Sequence, residues 1–98
     1  MGPQTLVDTS SSVLNEPFIF DNVVEKAEET VKISKNCKEL FYNLDEYKNF
    51  VESFYAKKNI RIDVNYTFTC NGGMKVNFDV QLTTPQVMMR KSFVVTNP

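Results

Sequence analysis

The sequence predicts an α+β domain: one or two helices packed on one face of a three- to four-stranded antiparallel sheet, in the order helix then β-meander. Three observations predict it. Residues 59–82 hold two runs in which apolar and polar side chains strictly alternate, separated by Asn71-Gly72-Gly73. A third alternating run occupies residues 87–96. Ahead of all three, residues 40–55 repeat large apolar side chains at helical spacing.

Residues 1–16 read as a loose arm, because Thr9-Ser10-Ser11-Ser12 has no periodicity and is turn-like. Leu6-Val7 or Val13-Leu14 are the parts able to dock on the domain, which itself spans residues 17–98. Pro17-Phe18-Ile19-Phe20 is a short candidate strand, with proline at its start as an edge strand tolerates.

A first helix is expected from Asn22, an N-cap residue with Glu25 three positions on. Glu25, Glu28 and Glu29 come early while Lys32, Lys35 and Lys38 come late, an order that suits the helix dipole. Val24, Ala27 and Val31 form a thin apolar stripe. Residues 30–33 read equally as helix or strand, and Ser34-Lys35-Asn36 is the break. A second helix is expected from Asn43, paired with Glu46 in the same capping pattern. On a helical wheel Leu40, Leu44, Tyr47, Phe50, Val51, Phe54 and Tyr55 occupy one arc of about 140°. That face is expected to cover the sheet, with Phe54 central and Lys48 on the opposite, wet side. Lys57 and Lys58 favour the helix C-terminus, and Asn59 suits a left-handed cap.

In the hairpin, Ile60, Ile62, Val64, Tyr66, Phe68 and Cys70 share one face, and Met74, Val76, Phe78, Val80 and Leu82 share the facing one. A two-residue loop would set inward Phe68 against outward Lys75. A three-residue loop pairs Phe68 with Val76, Tyr66 with Phe78 and Val64 with Val80, which keeps the apolar side chains together. In the third run Val87, Met89, Phe93 and Val95 point inward, and Lys91 interrupts them at the core margin. Pairing Leu82 with Val87 sets Asp79 opposite Arg90 on the wet face. This helix-then-meander order resembles cystatin-like and similar small α+β folds. The resemblance rests on element order and carries no family motif, so it implies a fold and no activity.

A chain of 98 residues supports one core. A net charge of -1 gives no global field toward nucleic acid or membrane, and no apolar run approaches the roughly 18 residues of a span. Lys and Asn are plentiful, Arg scarce and Trp absent, a flavour of AT-rich genomes that include those of viruses and phages. With no secretory signal visible, Cys37 and Cys70 are expected to be free thiols in a reducing, intracellular setting, a bridge between them being the alternative. In that setting the sequon Asn65-Tyr66-Thr67 reads as chance.

Histidine is absent, which excludes Ser-His-Asp and Cys-His nucleophiles, histidine acid–base catalysis and histidine-ligated zinc. No phosphate-cradling glycine loop occurs, since no helix follows Asn71-Gly72-Gly73. Arg61, Asp63, Asp79 and Arg90 converge on the wet face. They read as solvated ion pairs, with a working Asp63/Asp79 carboxylate pair as the remote enzymatic alternative. Lys57, Lys58 and Arg61, with Lys75 as an outlying member, are the candidate phosphate-binding group and read first as a capped helix end. Base stacking on the sheet is disfavoured because Tyr66 and Phe68 face inward. Met88 and Val94 leave apolar surface beside Arg90 on the last strand, and these three are the candidate interaction residues. The expected function is a small non-enzymatic protein-interaction module, an inhibitor, adaptor or accessory subunit. It takes no cofactor or metal and binds another protein or a second copy through a sheet edge. Nucleic-acid binding through the lysine group is the alternative. The edge of the last strand is expected to be covered by residues 17–20 or by a second copy.

Overall fold

The computed structural model describes residues 16–98, so the expected arm and its docking residues lie outside the described residues. Two helices, α1 (Glu16–Ile33) and α2 (Cys37–Ala56), precede three strands, β1 (Arg61–Thr69), β2 (Met74–Thr83) and β3 (Met88–Asn97). The sheet is an antiparallel meander in the order β1-β2-β3. Both helices lie on one face of it, α2 chiefly over β1 and α1 chiefly over β3. The expected α+β class is thus the observed one.

Residues 17–20 are helical, not a strand, and α1 begins a turn and a half before Asn22. A three-residue apolar run carries no period that separates strand from helix. Proline is also acceptable in a first helical turn, where its missing N–H has no partner to lose. The buried stripe is Ile19, Phe20, Val23, Ala27 and Val31, longer than expected and with Val23 in place of the expected Val24, which is only half-buried. The helix runs through residues 30–33 and ends at the expected break.

α2 likewise starts about a turn and a half before Asn43. Its cap is Asn36, whose Oδ1 accepts from the Glu39 N–H at 2.8 Å. Glu39 returns the contact by accepting from the Lys35 N–H at 2.9 Å. Asn43 lies inside the helix and donates to Ser34 Oγ. The helix closes with Asn59 at φ 62, with Ile60 N–H donating to Tyr55 O and Asn59 N–H to Ala56 O. That is the left-handed cap expected there.

Within α2 only Leu40, Leu44, Tyr47 and Val51 are buried, an arc of about 60°. Tyr47 anchors the two helices. Its hydroxyl donates to Val23 O at 2.8 Å, and its ring meets Phe78 edge-on. Burial pushes this phenol well above its ordinary pKa near 10. Phe50 and Phe54 are exposed, and Lys48 is half-buried against β1, so the expected central Phe54 and wet Lys48 are both corrected. The sheet is narrow and α1 shares it, so α2 has only one strip of side chains to bury there.

The hairpin register is the expected one: Val64 with Val80, Tyr66 with Phe78, Phe68 with Val76. Gly72 and Gly73 take φ 66 and 129 in its loop. The β2–β3 register differs by two residues. Leu82 faces Met89, Val80 faces Lys91 and Phe78 faces Phe93, with the two phenyl rings stacked at 4.9 Å. Val87 is consumed by the turn, where the Thr84 N–H donates to Val87 O and the Gln86 and Val87 N–H groups donate to Thr84 Oγ1. A slip of two leaves every inward side chain inward. Lys91 is exposed at the core margin.

Cys37 and Cys70 form a disulfide, so the expectation of free thiols is overturned. The early start of α2 is the reason, since it carries Cys37 on the first turn to the far end of β1. Asn97 adds a second tie at that same end of the layer, donating from Nδ2 to Val31 O at 3.0 Å and Ser34 O at 3.1 Å.

Candidate functional site

A three-stranded meander has two edges, and this one treats them differently. At the β1 edge, Glu52 Oε2 accepts from the Val64 N–H at 2.9 Å, while Lys48 Nζ donates to Val64 O at 2.6 Å. The two side chains also bond each other at 2.8 Å. One helical ion pair therefore occupies both backbone groups that Val64 points away from β2, and a foreign strand cannot pair there without displacing it.

Alternation along the ladder fixes the rest. If Val64 points its backbone groups outward, Val80 points its own toward β3 and Lys91 answers. Met88, Arg90, Ser92, Val94 and Thr96 then present theirs to the β3 edge. Residues 17–20 are helical, so the expected internal strand cover is ruled out. No side chain of the described residues makes a hydrogen bond along that edge comparable to the Lys48–Glu52 pair.

The candidate interaction residues sit on this edge strand. Met88 is 66% and Val94 54% exposed. Arg90 grips Asp79 with two bonds, Nε to Oδ1 at 2.9 Å and Nη2 to Oδ2 at 2.7 Å. The pair is diagonal, because Arg90 faces Gln81. The guanidinium holds the Asp79 carboxyl below its ordinary pKa. Asp63 and Asp79 are diagonal neighbours as expected, but each is engaged by its own arginine, Asp63 by Arg61 at 3.1 Å.

Lys57, Lys58 and Arg61, the candidate phosphate-binding residues, stand at the junction of α2 and β1, and the outlying Lys75 lies apart from them. Arg61 leans on Asp63. Lys58 Nζ sits 4.5 Å from the centroid of the Phe54 ring. Lys75 lies opposite Thr69 at the other end of the hairpin, whereas Arg61 lies opposite Thr83, about 26 Å away at strand spacing. Tyr66 and Phe68 face the helical layer, where Phe68 meets Phe41.

Comparison with known proteins gives no relative. No family model, curated protein or solved structure matches this chain. The site therefore has to be read from its own geometry.

One surface escaped the sequence reading. Phe50 and Phe54 stack at 5.9 Å on the solvent side of α2, beside a pocket of about 220 Å³ between the helices. Asn22, Val23 and Lys26 of α1 line its other wall. Ile33, Phe41 and Tyr42 add exposed apolar area elsewhere on the helical layer. The signal was the 140° arc itself, wider than one helix can bury against one sheet.

Proposed function

We propose that this domain is a protein-interaction module that pairs through the β3 edge with an extended strand, and that the strand is β3 of a second copy. The asymmetry of the two edges carries the reading: β1 is closed at Val64 by Lys48 and Glu52, and β3 has no equivalent among the described residues. Strand addition to a bare edge is an established recognition mode. Antiparallel self-pairing about Ser92 would set Arg90 opposite Val94 and Met88 opposite Thr96 of the copy. The two Arg90 residues then stand apart, and apolar side chains line the seam. The exposed Phe50 and Phe54 are a second reason to read an interaction module, since contiguous apolar surface on a small domain marks a contact site.

The disulfide supports an oxidising compartment, lumenal or extracellular, in place of the reducing one expected from the sequence. No helix among the described residues is long and apolar enough to cross a membrane.

Light scattering over a range of concentrations, with amide exchange at Met88, Arg90, Ser92, Val94 and Thr96, tests the pairing. Protection that grows with concentration is expected, and Met88→Lys with Val94→Lys should return a monomer. Fast exchange at those amides in a species that stays monomeric would overturn it. The nucleic-acid reading fares worse, because Lys58 and Arg61 are already engaged within the domain. It predicts tight, salt-sensitive binding that Lys57→Glu with Lys58→Glu abolishes.

A further inference from the structure

We infer that Asn65 is an acceptor for N-linked oligosaccharide. The inference rests on the oxidising-compartment reading above, and the Asn65-Tyr66-Thr67 sequon is the feature that the interaction reading leaves unused. In the reducing setting expected from the sequence this triplet carries no weight. The Cys37–Cys70 bridge changes that, because compartments that form disulfides include the one in which oligosaccharide is transferred.

The local structure fits the chemistry. Asn65 and Thr67 lie two residues apart in β1, so their side chains project from the same face. That face is the outer one, away from the helices, and both residues are exposed. Tyr66 between them turns inward, toward Phe78. No hydrogen bond among the described residues engages the Asn65 side chain, although its neighbours Asp79 and Arg90 are bound to each other. β1 is an edge strand, so on the outer face Asn65 has a neighbouring strand on one side only. No other asparagine in the chain is followed two positions later by serine or threonine.

The transfer joins Asn65 Nδ2 to the anomeric carbon of an oligosaccharide carried on a lipid pyrophosphate. A carbon–nitrogen bond forms, and the anomeric carbon–oxygen bond to pyrophosphate breaks. The lipid pyrophosphate leaves with that electron pair, and an amide proton passes to a base of the transferase. No oxidant or reductant is needed. The product stands on the outer face at β1, two strands from the β3 edge, or about 10 Å at normal strand spacing. It shields the polar sheet face and leaves the edge proposed for pairing free.

The test expresses the full chain behind a cleavable secretion signal in cultured eukaryotic cells and reads intact mass before and after peptide-N-glycosidase. One glycan is expected, with Asn65 converted to Asp on release. Thr67→Ser should keep it, while Thr67→Ala and Asn65→Gln should each remove it. Asn77→Gln, on the same face but outside any sequon, should change nothing. Peptide mapping of the Cys37–Cys70 bridge on the same samples separates the two readings. Bridged protein with bare Asn65, whether secreted or retained, overturns the glycan inference alone. Reduced cysteines in that compartment overturn the compartment reading and the inference with it.

Discussion

Reducing the Cys37–Cys70 bridge should cost this domain about 4 kcal/mol. The bond joins residues 33 apart in sequence. Closing a loop of that length removes entropy from the unfolded chain, and the chain-entropy relation gives about 3.7 kcal/mol at 25 °C. The folded side of the balance changes little. The Asn36 cap and the Phe41–Phe68 contact still hold the start of α2 against β1 when the sulfurs are parted. Small domains have roughly 5–15 kcal/mol in hand, so the reduced protein stays folded at 25 °C with a thin margin. Urea unfolding of the oxidised chain, the reduced chain and the Cys37→Ser/Cys70→Ser variant measures the loss directly. The denaturant slope should rise on reduction, because the freed unfolded chain exposes more surface. Melting temperature should fall by roughly 15–30 °C. A loss below about 1 kcal/mol, with an unchanged slope, would refute the idea that the bridge acts on the unfolded chain.

Four further outcomes are expected. Leu44→Ala, at a site with no exposure, should cost about 2–5 kcal/mol in urea unfolding, while Phe54→Ala, 41% exposed, should cost about 1 kcal/mol or less; equal losses would contradict the observed face of α2. Glu52→Ala strands the Val64 N–H and should cost about 1–3 kcal/mol, with faster amide exchange at Val64 as its marker. Tyr47→Phe removes the bond to Val23 O and should cost about 1 kcal/mol at neutral pH. The raised Tyr47 pKa also sets an alkaline dependence: below about pH 10 both states hold the proton, and above it the unfolded state loses it first. Stability then falls by up to about 1.4 kcal/mol per pH unit, a slope that Tyr47→Phe should lessen in alkaline urea titrations.

The hairpin was legible because two alternating runs and a glycine loop admit only one register that hides both apolar faces. The neighbouring register was not, since shifting β3 by two residues preserves every face and only the Thr84 turn decides between them. Helix starts were misplaced for a related reason. Asn followed three residues later by Glu occurs at 22/25, 36/39, 43/46 and 49/52, and in three of these four the Asn lies inside a helix. Nothing local distinguishes the true cap; the buried stripe does. Exposure at Met88 and Val94 could be read from alternation alone. The Lys48–Glu52 closure of β1 could not, because it joins residues 12 and 16 positions apart across a packing interface. Two cysteines in a sequence leave paired and free states open, and only the placement of the first turn of α2 resolves them.

The Asn97 amide has a consequence for the order in which the domain assembles. It donates to the carbonyls of Val31 and Ser34 at the C-terminal end of α1, where Val31 O also accepts the Ser34 N–H at 3.2 Å. Val31 lies in the last turn of the first helix and Ser34 just past it, and their donor stands at the end of the last strand, 66 and 63 residues later. Growing from its N-terminus, the chain can form α1 early but cannot finish its C-terminal end until β3 is made and docked. Contacts of such separation slow folding and bind the elements into one cooperative unit. A chain cut before β3 should therefore fray at α1 as well as at the sheet, and losing the final strand would be felt at the opposite end of the sequence.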